Sequence, residues 1–140
     1  MRIYLDDSGS KPGLVPLSYV RHVADFRIGI LSIREKWQHL TGLPVITDPQ
    51  VLQKTDWVIP ANVLPTLDQY ERILQCSRDR IPLPASAADP IRFLQHPWQL
   101  YQWNDWAIRQ DFSILTYGRL SEEPDASNQL IHANAIFIEK

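Results

Sequence analysis

The stretch "LSIREKWQHLTGLPVIT", residues 31–47, sets a helix directly before a strand. Ser32 and Glu35 have capping-box spacing, in which a hydroxyl and a carboxylate satisfy amides that the first helical turn leaves unpaired. Ile33, Trp37 and Leu40 then fall on one helical face, and Gly42 offers the left-handed residue that often ends a helix. "LPVIT", residues 43–47, follows as a short aliphatic run that predicts a buried strand. One helix feeding one buried strand is the repeating unit of α/β proteins.

Working outward, the same unit recurs. "RIYL", residues 2–5, predicts an opening strand, and "DDSGSKPG", residues 6–13, gathers turn-forming residue types behind it. "PQVLQKT", 49–55, predicts a helical turn or two, and "DWVIP", 56–60, another buried strand. Thr66 and Gln69 repeat the capping-box spacing, and Leu67, Tyr70, Ile73 and Leu74 form a helical stripe to about Cys76. The alternation predicts an α/β fold with a parallel or mixed sheet and flanking helices.

Pro82, Pro84, Pro90 and Pro97 exclude long regular elements over 79–97 and leave an irregular connection or two short strands. Pro97 suits a first helical position. The breaker-free "WQLYQWNDWAIRQDF", 98–112, predicts a substantial helix carrying three of the five tryptophans. "NQLIHANAIFIEK", 128–140, returns to strand character.

A chain of 140 residues with 44% hydrophobic content has room for one domain and a real core. Its net charge of −2 offers no general attraction for nucleic acid or anionic lipid, so neither is expected as a partner. Cys76 is the one cysteine, which excludes a disulfide framework or a cysteine-based zinc site and fits a reducing compartment. "MRIYLDD" lacks the features of a signal or transit peptide, and no apolar run is long enough to span a bilayer. A cytoplasmic location is expected.

Two groups of residues carry candidate chemistry. Arg21, Arg27, Arg34 and Lys36 lie within sixteen positions, and Gly29 among them could let the backbone approach a phosphate. The plainer reading places Arg34 and Lys36 on a solvated helix face and pairs Arg21 and Arg27 with Asp25 or the Asp6–Asp7 dipeptide. Asp6 and Asp7 follow the first strand, where open α/β sheets place ligands, and could hold magnesium or simply open the turn. His22, His39, His96 and His132 have no paired metal spacing, and no G-x-S-x-G nucleophile motif is present. His96 is expected to flank the helix start. Trp98, Trp103 and Trp106 are either a stacking platform or core, with Trp106 at least partly exposed because Leu100, Trp103 and Ala107 define the packed face.

Four segments together resemble one family. "PLSYVRHVADFRIGILSIREKW" (16–37), "VIPANVLPT" (58–66), "HPWQLYQWNDWAIRQDFSILTYGR" (96–119) and "IFIEK" (136–140) are similar to the amino-terminal domain of sugar nucleotidyltransferases of the bifunctional uridylyltransferase/acetyltransferase type. That domain is a trimmed nucleotidyltransferase, Rossmann-like fold, normally followed by a left-handed β-helix. The resemblance implies a nucleotidyltransferase-like domain over residues 1–128 and, over 129–140, the start of or linker to a β-helix. It implies transfer of a nucleotidyl group from a nucleoside triphosphate to a sugar 1-phosphate with Mg2+, a step toward cell-envelope polysaccharide precursors. It also implies a homo-oligomer, or packing of the domain on a β-helix.

Residue by residue, Arg21 matches the arginine of the broader pattern "PLTxxRPK" and becomes the candidate catalytic and triphosphate-binding residue. Lys11, Arg27 and Asn62 are candidate substrate contacts, with Asp6 and Asp7 for the metal. The pattern's proline and lysine fall on His22 and Val23. Active relatives often carry glycine and aspartate where this chain has Ala61 and Asn62. Three readings therefore stand together: an active transferase, a non-catalytic nucleotide-sugar-binding relative serving a β-helix acyltransferase, and a structural domain packing through its tryptophan-rich helix.

Overall fold

The structure is a computed structural model, and residues 1–84 and 90–139 are described. Strand β1 (Ile3–Asp6) runs centrally between β2 (Val45–Ile46) and β3 (Trp57–Pro60), parallel to both. The fold is α/β with a small parallel, Rossmann-like sheet. Register pairs Ile3 with Val45 on one side and with Trp57 on the other. Arg2 locks the entry to the sheet: its Nε and Nη2 donate to the Asp56 carboxylate at 3.2 and 2.7 Å. That bond holds Asp56 below the ordinary carboxylate range.

Helix α1 (Ile33–Thr41) begins as its sequence dictates. The Ser32 hydroxyl accepts from the Glu35 amide, the Glu35 carboxylate accepts from the Ser32 amide, and Gly42 ends the helix at φ +66°. Ile33 and Trp37 are fully buried with Ile3, Leu5 and Ile59 in one core. The expectation for "DWVIP" needs correction. Only Ile59 of β3 is buried and Val58 is 47% exposed, because β3 is an edge of the three-stranded sheet.

A second, antiparallel pair joins β4 (Val63–Leu64) to β5 (Arg92–Phe93), so the proline-rich connection supplies a short strand. Residues 85–89 of that connection lie outside the described residues. Helix α2 (Tyr70–Asp79) packs on β3 through Ile73. Its predicted capping box does not form: the helix starts only at Tyr70, and the Thr66 carbonyl, not its hydroxyl, receives the Gln69 and Tyr70 amides.

The tryptophan-rich segment divides at Trp103 into α3 (Gln99–Gln102) and α4 (Asn104–Thr116). Pro97 lies outside α3, whose N-cap is Trp98. Residues 128–139 form no strand. A 3-10 turn spans Ala133–Ala135, and the segment meets residues 119–122 through the Glu122 amide on Ile138 O and the Arg119–Glu139 ion pair. Without a row of backbone partners, aliphatic composition alone makes no β-ladder. No described helix is long and apolar enough to cross a membrane.

The basic opening segment is arranged differently from its sequence expectation. Lys36 is not on a solvated face: it is 3% exposed and its ammonium binds the fully buried Asp111 of α4 and the Ile28 carbonyl at 2.8 Å. Arg34 pairs with Asp25 at 2.8 Å, and Arg27 lies 3.6 Å from Glu35. Arg21 has no ion-pair partner among the described residues.

Gly29, at φ +81°, brings backbone against backbone instead of against a phosphate. A Cβ there would sit 2.6 Å from Asp111 Oδ2 and 2.8 Å from the Ala107 carbonyl carbon. Asp111 Oδ2 accepts the Ile30 and Leu31 amides at 2.8 and 3.0 Å, while Asn104 Oδ1 accepts that of Gly29 at 2.9 Å. The loop at 28–31 is thus clamped onto α4.

Lys36→Met should leave Asp111 buried without its counter-charge and lower stability by about 3–5 kcal/mol in urea unfolding. The double variant Lys36→Met, Asp111→Leu should recover only part of this, since Ile30 and Leu31 lose their acceptor. Gly29→Ala should cost about 2 kcal/mol or more, combining left-handed strain with the clash against α4.

Candidate functional site

The chain runs from β1 to β2 on one side and then crosses to β3 on the other, so the strand order reverses at β1. Parallel α/β sheets bind ligands at the carboxyl ends of the strands flanking such a reversal. A cleft of about 380 Å³ opens there, lined by Asp6, Ser8, Gly9, Ser10, Val58, Pro60 and Asn62. Larger hollows exist, and one of about 710 Å³ lies beside Asp56 and Trp57, at the amino end of β3. The smaller cleft is the candidate site, because there two strand ends converge with a carboxylate, an amide and a Gly/Ser turn.

Asp6 is the last residue of β1, opposite Pro60, and its carbonyl accepts the Ala61 amide at 2.7 Å, fixing the two strand ends together. One carboxylate oxygen, Oδ1, accepts from the Ser8 amide at 3.0 Å. Oδ2 has no protein donor among the described residues. Asn62 is held from both sides, its carbonyl taking the Leu94 amide at 2.8 Å and its side-chain nitrogen donating to the Leu94 carbonyl at 3.1 Å. Its side-chain oxygen is therefore the unspent acceptor.

Asp7 faces elsewhere. It is 6% exposed; Oδ1 lies 3.2 Å from Lys11 Nζ and 3.3 Å from His22 Nε2, and Oδ2 accepts from the Val23 amide at 3.4 Å. Both oxygens are engaged with protein. Asp7 thereby ties the turn after β1 to the 3-10 turn Val23–Asp25, and Ser18 Oγ adds a bond to the Lys11 carbonyl at 2.7 Å. Arg21 is exposed, one residue from this junction.

His22 is neutral in a defined tautomer. Nδ1 accepts the Ala24 amide at 3.1 Å, so the ring proton belongs on Nε2, facing Asp7. Burial pushes its pKa below the ordinary histidine value; Asp7 and Asp25 oppose this, and Lys11 and Arg34 assist it.

The structure thus brings Asp6 and Asn62 to one cleft, with Lys11 and Asp7 behind its turn. It separates Arg27, which lines a different cleft with Trp98 and Tyr101. Trp103 and Trp106 are partly buried against the core, as expected for Trp106. Arg92 lies over both rings, 5.1 and 4.5 Å from their centroids. His96 flanks the helix start, stacked on Trp98. Sequence reasoning missed Ser8 and Ser10 as cleft walls and Arg92 as a partner of tryptophan. The hydroxyls carried a signal, lying in the turn directly after a buried strand; Arg92 carried none. Among the described residues no three histidine, cysteine, aspartate or glutamate side chains converge as a metal cluster.

Protonation of Nδ1 removes the acceptor of the Ala24 amide. With the folded pKa depressed, the contribution of His22 to stability is full above the unfolded value near 6.5 and is lost as pH falls through the folded value. An NMR titration should find the His22 midpoint below the ordinary histidine value near 6.5, and His22→Asn should flatten the acid side of the stability profile.

No curated protein and no solved structure matches the chain. A family model described as sugar nucleotidyl transferase matches residues 3–83, which run from β1 past the end of α2 and make up more than half of the sequence. The parallel sheet and the strand-end cleft both fall within that match, and the chain belongs to the sugar nucleotidyl transferase family.

Proposed function

We propose that the cleft between the ends of β1 and β3 takes a nucleoside triphosphate and a sugar 1-phosphate and joins them with loss of pyrophosphate. The observation that carries this reading is the position of Asp6 and Asn62 at the reversal of strand order. A phosphate oxygen of the sugar 1-phosphate attacks the α-phosphorus. The bond from that phosphorus to the bridging oxygen of the β-phosphate breaks, and its electron pair leaves with pyrophosphate. Such a reaction needs alignment of the two substrates and stabilisation of charge on oxygen.

The residues supply these in part. The Ser8 hydroxyl and the exposed Gly9 backbone offer short-range donors to phosphate oxygens, while the Ser10 hydroxyl already donates to the Asp7 carbonyl at 3.2 Å and braces the turn. Arg21, lacking an internal counter-charge, is the cation for the triphosphate, and Lys11 is the second, tethered by Asp7. Magnesium commonly binds through one or two carboxylates together with substrate phosphates, and Asp6 fits that role through its unspent oxygen. Asp7 does not, because both its oxygens already serve the loop. When bound, the ion supplies neutralisation of the triphosphate charge. Asn62 keeps a neutral oxygen toward the ligand.

A second reading has its own observation. Asn62 stands where active relatives often have aspartate, which favours a nucleotide-sugar-binding domain without turnover. Pyrophosphate release separates the two.

Magnesium with UTP or dTTP should raise the unfolding temperature by several degrees at about 100 times Kd. Asp6→Asn should reduce that rise only when magnesium is present, and Arg21→Ala should weaken triphosphate binding roughly ten- to a hundred-fold without changing the unliganded melting temperature. Unchanged affinity in Arg21→Ala would remove that residue from the site.

A further inference from the structure

The turn at Pro16–Leu17, Arg27 and the segment from Pro97 through α3 to Asn104 enclose a second cleft, of about 670 Å³, with Trp98 and Tyr101 on its wall. It shares no lining residue with the β1–β3 cleft. We propose that it binds an anionic sugar, with the apolar face of the ring on Trp98 and Tyr101, the anionic group on Arg27 and a hydroxyl on Asn104.

Three observations carry this. First, Trp98 and Tyr101 are 57% and 88% exposed, although the neighbouring Trp103 and Trp106 pack inward on the core. Flat rings left at a cleft wall offer amphipathic stacking surface at low cost in side-chain entropy.

Second, the wall is held in place before any ligand arrives. His96 stacks on Trp98 with centroids 4.4 Å apart and planes within 9°. Asn104 Oδ1 is fixed by the Gly29 amide at 2.9 Å. Arg27 is steadied by the Ile30 carbonyl and by Glu35, 3.6 Å from its Nη2. Preorganisation of this kind lowers the ordering cost of binding.

Third, the two polar side chains held at this wall, Arg27 and Asn104, offer donors. With its oxygen spent on Gly29, Asn104 presents its NH2 group, and a guanidinium has no acceptor at all. A base edge needs donors and acceptors together, whereas sugar hydroxyls and an anionic group present oxygen throughout. The lining therefore favours an oxygen-rich ring over a nucleobase.

The test is an NMR titration of the full chain with glucuronic acid, which carries a carboxylate and no phosphate, following backbone amides, tryptophan indoles and asparagine side-chain amides. The Trp98 and Asn104 signals should move together. Trp98→Ala and Arg27→Gln should each weaken binding about tenfold or more. Arg21→Ala should leave binding unchanged, so failure here and failure of the transferase reading are distinguishable. Three results would overturn the proposal: no movement of Trp98, movement confined to Ser8, Gly9 and Asn62, or equal affinity for uridine monophosphate. Sedimentation with self-association abolished by Trp98→Ala would also overturn it, by assigning this face to a second copy of the chain.

Discussion

The ion pair between Lys36 and Asp111 is the constraint on which the rest of the structure depends. Burying either charge alone carries a penalty of several kcal/mol, and the pair offsets it only when its remaining hydrogen-bonding capacity is filled. Here it is filled from three directions: Lys36 also donates to the Ile28 carbonyl, and Asp111 also accepts the Ile30 and Leu31 amides. Burial pushes the Lys36 pKa down while Asp111 pulls it back up. The result fixes orientation. α1 and α4 meet at one register, and the loop between Ile28 and Leu31 has only one place to go.

The second junction is built on the same principle at lower burial. Asp7 gathers Lys11, His22 and the Val23 amide, so the loop leaving β1 is held by a carboxylate whose neighbour, Asp6, faces the cleft. Two adjacent aspartates after one strand thus divide their work. Alternation along an extended segment turns one inward to the scaffold and the other toward the strand end. Arg21, with no ion-pair partner among the described residues, sits one residue from this junction.

What the sequence makes legible follows from the range of the interactions involved. The Ser32–Glu35 box, the Gly42 stop and the order of the parallel strands rest on contacts within a few residues or on hydrophobic period, and a sequence displays both. The Thr66–Gln69 spacing had the same look and formed no box, since the chain enters α2 through a turn that spends the Thr66 carbonyl. The solvated position expected for Lys36 fails because its partner lies 75 residues away, and helical period alone gives a lysine no reason to turn inward. Gly29 was legible as a close-approach position, but what approaches is helix α4. At the candidate site, Asp6 is readable from its place after the first strand and Asn62 only through the family resemblance, while the division between Asp6 and Asp7 needs the loop at 22–23.

The same distances bear on where the family's domain ends. The match to residues 3–83 contains the sheet, the cleft and Lys36, yet Asn104, Ala107 and Asp111 lie beyond it. A unit cut at residue 83 would keep Lys36 buried without its counter-charge, and Gly29 would keep a left-handed conformation with no helix to justify it. The α/β unit is therefore completed energetically by α4. Because Arg27 and Asn104 flank that contact, the clamp that closes the fold also shapes the second cleft. Stability and the placement of a binding surface arise here from one set of bonds, those made to a single buried carboxylate and its neighbouring asparagine.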